Sequence, residues 1–284
     1  MFSIVGNSGC QVELVESNDQ AFVRKSTTNQ SYFSRLKKQA QKQSAFIENN
    51  NRKDIYVPRI IHEDFQDRQR QFFDMEFCRS IDCLSYLQTS SIKEIEEFFK
   101  IVISVIDRNI SHSEMKDFNR EAFLEKYSDV KSNIKKQNID LDFSRINTIF
   151  NTVKVQKIPV GKCHGDLTLS NILVQSSEKR ICLIDFLDSF IETPLQDIVK
   201  LRQDTKYFWT LNLHQGANLD LTKIKMILKY LDKKVESHYA RHNFYKKYYQ
   251  SFQIMNLLRV LQYCKDKNLQ NFVVRHIKVL EKEV

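Results

Sequence analysis

A chain of 284 residues with 42% hydrophobic and 28% charged side chains is long enough for a full enzyme core and excludes a disordered polymer. Lys and Arg number 44 against 35 Asp and Glu, a net charge of +9 that favours anionic partners such as nucleotides, phosphorylated sugars, nucleic acid or a lipid surface without choosing among them. The six cysteines are scattered with no C-x-x-C pair, so a reducing compartment is expected. The opening MFSIVGNSGCQVELV has no basic region followed by an apolar run and a cleavage site, and ICLIDFL is too short to cross a bilayer. The expectation is a cytoplasmic protein with no signal peptide and no membrane span. Glycine is scarce: Gly6, Gly9, Gly161, Gly165 and Gly216 are the five, each expected where the backbone needs one.

The first 90 residues read mainly as strands. FSIVGNSGCQVELV is two short extended runs joined by a turn at Gly6–Gly9, and AFVRKS is a third run. SYFSRLKKQAQKQSAFIENN changes period, with Phe33, Leu36 and Ala40 on one helical face. YVPRIIHEDF and QFFDMEFC are two further strands, and Pro58 marks an edge or a strand start because proline cannot donate to a ladder. Residues 91–110 form the clearest helix, opened by a Ser91/Glu94 capping box. A polar helix over about 118–136 follows, then two short extended runs within 158–190, then helices from about 196 onward. The class is α+β: a small β-rich lobe, then a larger, mainly helical lobe with a short β insert.

Residues 164–188 carry the chemistry. His164-Gly165-Asp166 is followed by Asn171 and by Asp185, nineteen positions after Asp166. The apolar runs ILV and ICLI, joined by a Ser-Ser-Glu-Lys turn, make a hairpin that places Asn171 and Asp185 at neighbouring strand ends. Mg²⁺ takes hard oxygen ligands and binds through one or two carboxylates plus substrate phosphates, which Asn171 and Asp185 suit. Asp166 is then free to orient a substrate hydroxyl and accept its proton. A lone H-G-D reads as a turn former or helix cap; the whole constellation does not.

CHGDLTLSNILV followed by LIDFLDS resembles the aminoglycoside phosphotransferase-like family, small-molecule kinases with the two-lobed protein-kinase-like fold. The resemblance implies a nucleotide-binding lobe over residues 1–78 and a catalytic, acceptor-binding lobe over 79–284. It implies ATP and Mg²⁺ as cofactors, Asp166 as catalytic base, His164 bracing its loop, and Asn171 and Asp185 as metal ligands. Leu187 stands where a protein kinase has the glycine of D-F-G, which fits the small-molecule kinases better. Gly6 and Gly9 fall where the phosphate-covering loop belongs, with an ordinary hairpin turn as the competing reading. Strand alternation puts Lys25 on the face of Val23, giving it the phosphate-pairing role, while a one-residue slip would substitute Arg24. The helix glutamate that kinases pair with this lysine is missing: Gln39 and Gln43 stand there, and either amide could bond Lys25. Met75 is expected at the back of the adenine pocket, with Glu76, Phe77 and Cys78 offering backbone groups. Asp197 is expected to accept N–H groups of the catalytic loop. Asp204, Tyr207 and Trp209 are possible acceptor contacts, a core or helix-surface role being the preferred reading of each.

From residue 220 to the end, 14 Lys and Arg face 6 Asp and Glu, a surplus of +8. Aminoglycosides, which are polycations, and the cation choline are disfavoured there, and a neutral or anionic small-molecule acceptor is favoured, a sugar, polyol or sugar phosphate in surface-polysaccharide metabolism. The competing readings are a pseudokinase-like scaffold, a basic binding protein, or a kinase for an aminoglycoside, choline or protein substrate. No specific nucleic-acid motif accompanies the basic helices, and His238 and His242, four apart, lack the rest of a zinc motif.

Overall fold

The computed structural model describes residues 3–5, 10–17, 20–48, 50–214 and 219–283. In chain order its elements are β1 (Ser3–Val5), β2 (Gln11–Ser17), β3 (Gln20–Thr27), α1 (Phe33–Glu48), β4 (Ile55–Tyr56), β5 (Ile60–Asp64), β6 (Gln71–Glu76), β7 (Ile81–Asp82), α2 (Cys83–Thr89), α3 (Ile92–Ser111), β8 (Glu114–Asp117), α4 (Arg120–Lys136), α5 (Ser144–Thr152), β9 (Lys157–Val160), β10 (Ile172–Gln175), β11 (Arg180–Leu183), α6 (Pro194–Thr205), α7 (Trp209–Leu213), α8 (Leu221–Tyr239), α9 (Asn243–Leu261) and α10 (Lys267–Lys282).

The chain forms two compact units. One contains residues 1–102, 169–188 and 217–220; the other contains 103–168, 189–216 and 221–284. The single boundary expected at residue 78 does not coincide with this division. The β10–β11 hairpin belongs with the N-terminal strands because β11 pairs in parallel with β4, Ile181 opposite Ile55, and β10 pairs with β7, Val174 opposite Ile81.

Within the first unit, a five-stranded sheet runs in the order β1-β2-β3-β6-β5, with β5 at an edge as Pro58 suggested. Leu36, Gln39, Ala40 and Gln43 recur at helical spacing as the buried face of α1. Leu36 and Ala40 pack with Cys10, Tyr32, Phe73 and Met75 in one hydrophobic cluster of this unit. The four-stranded sheet β4-β11-β10-β7 completes it. The capping box that opens α3 is formed: Ser91 N donates to Glu94 Oε2 at 2.8 Å, and Glu94 N to Ser91 Oγ at 3.3 Å.

The second unit is mainly helical, with a two-stranded β8–β9 ribbon. Its interior is built from rings, Phe123 lying 4.9 Å from Phe150 and 5.6 Å from Phe252, and Phe118 4.7 Å from Tyr248, centroid to centroid. Pro194 starts α6 behind a Thr193 cap, and all twelve residues of this helix are buried. It therefore runs through the middle of its unit despite carrying Asp197, Lys200, Arg202 and Asp204. No helix among the described residues is long and apolar enough to cross a membrane.

Candidate active site

In the first unit, the site grows from strand pairing. Ile172 lies opposite Leu183, and just beyond that pair Ile184 N donates to Asn171 O at 3.1 Å, so the chain leaves the hairpin with Asn171 and Asp185 at adjoining ends. Asp185 has φ 60°, a left-handed backbone uncommon outside glycine and found where a side chain must be aimed. On β3, Lys25 is buried and its Nζ donates to Asp185 Oδ1. Burial works against the charge on Lys25, but Asp185 more than compensates, and the pKa rises above the ordinary lysine value. Arg24 turns to the other face and pairs with buried Asp74 through two bonds of 2.7 and 2.8 Å. Three contacts from α1 hold the segment after Asp185: Lys42 Nζ to Leu187 O at 2.6 Å, Arg35 to Asp188 at 3.3 Å, and Phe46 against Phe186 at 5.1 Å between centroids.

In the second unit, Asp197 at the start of α6 organises the His164–Asp166 segment. Its two carboxylate oxygens accept from His164 N and Gly165 N, each at 2.8 Å, and Gly165 takes φ 87°, which only glycine adopts freely. His164 is fully buried, and its Nδ1 accepts from Asp166 N at 3.3 Å. The loop is thus fixed from both sides, leaving the Asp166 side chain 20% exposed with Oδ1 2.9 Å from Lys200 Nζ. Burial pushes the Asp166 carboxyl up, but Lys200, with His164 and Arg259 behind it, pulls it below the usual carboxylate range.

A family model described as a phosphotransferase enzyme family matches residues 8–213, well over half the chain. The chain belongs to this family. Across it, phosphate passes from ATP to a small-molecule acceptor. Among solved structures, the apo form of a thermostable mutant of aminoglycoside phosphotransferase APH(4)-Ia is similar with a TM-score of 0.67 at 9% identity, over 99% of this chain and 94% of that one. The streptomycin–ATP–APH(2")-IIa complex gives 0.55 at 14% identity, over 98% and 90%, and an ethanolamine kinase from Plasmodium vivax gives 0.57 at 13%, over 99% and 81%. At such identities the likeness shows the fold, the two-lobed protein-kinase-like architecture expected from the motifs. No curated protein matches in sequence.

The other residues singled out in the sequence have the following surroundings. Gly6 and Gly9 lie outside the described residues. Gln39 and Gln43 do not serve Lys25: Gln39 Nε2 bonds Tyr32 OH at 2.9 Å and Gln43 Nε2 bonds Pro58 O at 2.7 Å, because α1 turns both amides into its buried face. Met75 is buried in the core against α1, Phe77 is exposed and Cys78 buried. The backbone N–H of Glu76 is already bonded to Arg59 O at 3.0 Å, and its carboxylate holds Tyr56 OH at 2.6 Å, so Glu76 offers less to a ligand than its position implied. Asp204 and Tyr207 are enclosed rather than facing an acceptor: Asp204 is fully buried and accepts from Thr210 N at 2.7 Å at the start of α7, and the Tyr207 ring packs 4.8 Å from His276. Trp209 is half-buried. His238, for which no zinc role was expected, meets Asp107 at 2.9 Å.

Lys200 was not singled out in the sequence, although its signal is there. It stands three residues after Asp197 in an otherwise apolar helical turn, IVKL, where a lysine needs a specific anion if the turn is buried. Arg35 and Lys42, the anchors on α1, look like the solvated face of a basic helix and carry no such mark.

Proposed function

We propose that this phosphotransferase is an ATP- and Mg²⁺-dependent kinase that moves the γ-phosphate to a hydroxyl of a small molecule, a sugar, polyol or sugar phosphate. The observation that carries the reading is the pairing of buried Lys25 with Asp185 at the end of the hairpin. A cation and a carboxylate so held have little to do in a passive scaffold, and much to do for a triphosphate and its metal. The oxygens of Asn171 and Asp185 are hard donors, one amide and one carboxylate, which fits a Mg²⁺ ion that keeps waters and phosphate oxygens as its other ligands. When bound there, Mg²⁺ neutralises charge on the phosphates.

Lys25 then pairs with phosphate oxygens, its place in the core keeping it from swinging away. Asp166 accepts hydrogen bonding from the acceptor hydroxyl and takes its proton as the oxygen bonds to phosphorus and the bond to the leaving ADP oxygen breaks. Lys200 keeps Asp166 ionised for that task. All six cysteines are free and buried, which agrees with a cytoplasmic setting.

Two variants test the assignment. Asp185→Asn should abolish turnover and most of the Mg²⁺ dependence of nucleotide binding by calorimetry, and unchanged Mg²⁺-dependent binding would sink the metal role. Asp166→Ala should lower turnover by roughly 10²–10⁴ while nucleotide affinity stays within a few-fold. A coupled assay over sugars, sugar phosphates, aminoglycosides, choline and peptides, with Asp166→Ala as the blank, identifies the acceptor class. Because the folded-state pKa of Asp166 is depressed, its pairing with Lys200 stabilises the fold above the unfolded carboxylate pKa, about 3.9, and the benefit is lost as pH falls through the lower folded value. The acid limb due to Asp166 should lie below pH of about 3.9 and move upward in Lys200→Met.

A further inference from the structure

One stripe of α1 meets three successive residues of the segment that follows Asp185. Positions 35, 42 and 46 are seven and four apart, a spacing that puts them on a single helix face. Phe46 packs on Phe186, Lys42 Nζ donates to Leu187 O at 2.6 Å, and Arg35 Nε lies 3.3 Å from Asp188 Oδ1. Helix and segment therefore run in opposite directions and are joined at each step. The Arg35 guanidinium is in turn 5.2 Å from the Tyr32 ring centre, and Tyr32 OH accepts from Gln39 Nε2 at 2.9 Å. All these residues belong to the first unit, where Leu36 and Ala40 seat the same helix in a hydrophobic cluster.

Two observations bear on what this splint does. Asp185 has φ 60°, a left-handed backbone that a residue with a side chain keeps only where its surroundings over-determine it. On the N-terminal side that restraint is the bond from Ile184 N to Asn171 O, and on the C-terminal side it is α1. The second observation concerns Lys25, whose Nζ donates to Asp185 Oδ1. In the kinase reading this same Nζ turns to phosphate oxygens, so its hold on Asp185 weakens when nucleotide arrives. The contacts from α1 act on the backbone and side chains after Asp185 rather than on its carboxylate, so they persist with nucleotide and metal in place. Among them Lys42 grips the backbone directly. The Arg35 and Asp188 side chains are 33% and 37% exposed, and water screens their attraction.

We propose that Lys42 is a positioning residue for the metal ligand Asp185. Through Leu187 O it fixes the backbone turn that aims the Asp185 carboxylate, with Phe46 and Arg35 bracing the same segment on either side. The assignment rests on the reading of Asp185 as a Mg²⁺ ligand and adds to it a determinant of metal affinity on α1. Groups that orient a metal ligand from behind typically change metal affinity by about 10–100-fold when removed.

The test is calorimetric titration of Mg²⁺ into the full chain with AMP-PNP, beside AMP-PNP binding without metal. Lys42→Met should weaken Mg²⁺ binding by about tenfold or more and leave metal-free AMP-PNP affinity unchanged. Lys42→Arg, which can still donate to Leu187 O, should restore most of the loss. The sign is diagnostic: removing a cation near a metal site would by Coulomb's law alone tighten Mg²⁺ binding. Hydrogen exchange of the amides over 184–188, with neither nucleotide nor metal, should be faster in Lys42→Met than in wild type. Unchanged or tighter Mg²⁺ binding in Lys42→Met, or a loss that Lys42→Arg does not mend, would overturn the proposal. An equal loss with and without metal would do so too, making Lys42 merely structural. If Lys42→Met does not fold, Lys42→Gln, whose shorter amide stops short of Leu187 O, is held to the same criteria. Wild-type protein measured first separates the two ideas. Absence of Mg²⁺-dependent AMP-PNP binding there defeats the kinase reading and the positioning with it, whereas normal wild-type binding with an indifferent Lys42→Met defeats the positioning alone.

Discussion

A single step along β3 separates Arg24 from Lys25, and the pleat sends their side chains to opposite faces. Lys25 reaches Asp185, and Arg24 grips Asp74, whose side chain is 3% exposed. Substitutions should therefore fail in different ways. Lys25→Met should weaken nucleotide use by one or more orders of magnitude with a modest change in melting temperature. Arg24→Met leaves Asp74 buried without its partner and should cost about 2 kcal/mol of stability, less than a fully buried pair because Arg24 is itself partly solvated. Nucleotide titration and thermal denaturation of both variants check the contrast; a stability loss in Lys25→Met with intact nucleotide binding would reverse the assignment. At this scale much was legible. Alternation favoured Lys25 while leaving Arg24 open to a one-residue slip, and the scarcity of glycine pointed to Gly165 with its positive φ and to Gly161, where an added Cβ would stand 2.5 Å from Ser113 Oγ. What alternation could not show is the partner: the missing helix glutamate left Lys25 without an evident anion, and Asp185 is 160 positions away.

Among the elements, the hairpin was readable and α6 was not. Two apolar runs with a polar turn between them specify both the pairing of β10 with β11 and the place of Asn171 beside Asp185. Helix α6 defeats the same method, because charged residues in a helix ordinarily mark its wet face. Here each is bonded inside: Asp197 to the loop amides, Lys200 to Asp166, Asp204 to Thr210 N, and Arg202 to Asp232 through bonds of 2.9 Å with Glu236 and Tyr245 close by. Asp204 and, just past the helix, Tyr207 take the core role that was the preferred reading of their sequence over acceptor contact, and both are enclosed. Removing one partner from such a network strands the rest, so Arg202→Met should cost about 3–5 kcal/mol in chemical denaturation. A loss under about 1 kcal/mol, the range of an exposed pair, would mean the network is solvated.

For the whole molecule, composition and motif order disclosed two lobes and their β-rich and helical characters, but the division at residue 78 missed the hairpin's allegiance. Strand β4 is two residues long and carries no periodicity of its own; only its parallel pairing with β11 reveals where it belongs. A parallel pair between residues 55 and 181 is a distant contact that no local pattern announces. The +8 surplus after residue 220 is equally mute about the site, since Lys200, the cation paired with Asp166, lies outside that stretch.

The discontinuity of the first unit has a consequence for how the chain is made. On the ribosome, residues 1–102 emerge well before 169–188, so β4 and β7 must wait with unsatisfied edges while the intervening segment is synthesised. The N-terminal stretch is thus no autonomous cassette, and cutting the gene after residue 102 should yield a fragment that aggregates or fails to protect its amides from hydrogen exchange. Supplying residues 169–188 on a flexible tether to that fragment should raise its solubility and protection, and a well-folded 1–102 fragment without them would show that the hairpin is a late ornament rather than the keystone of its unit.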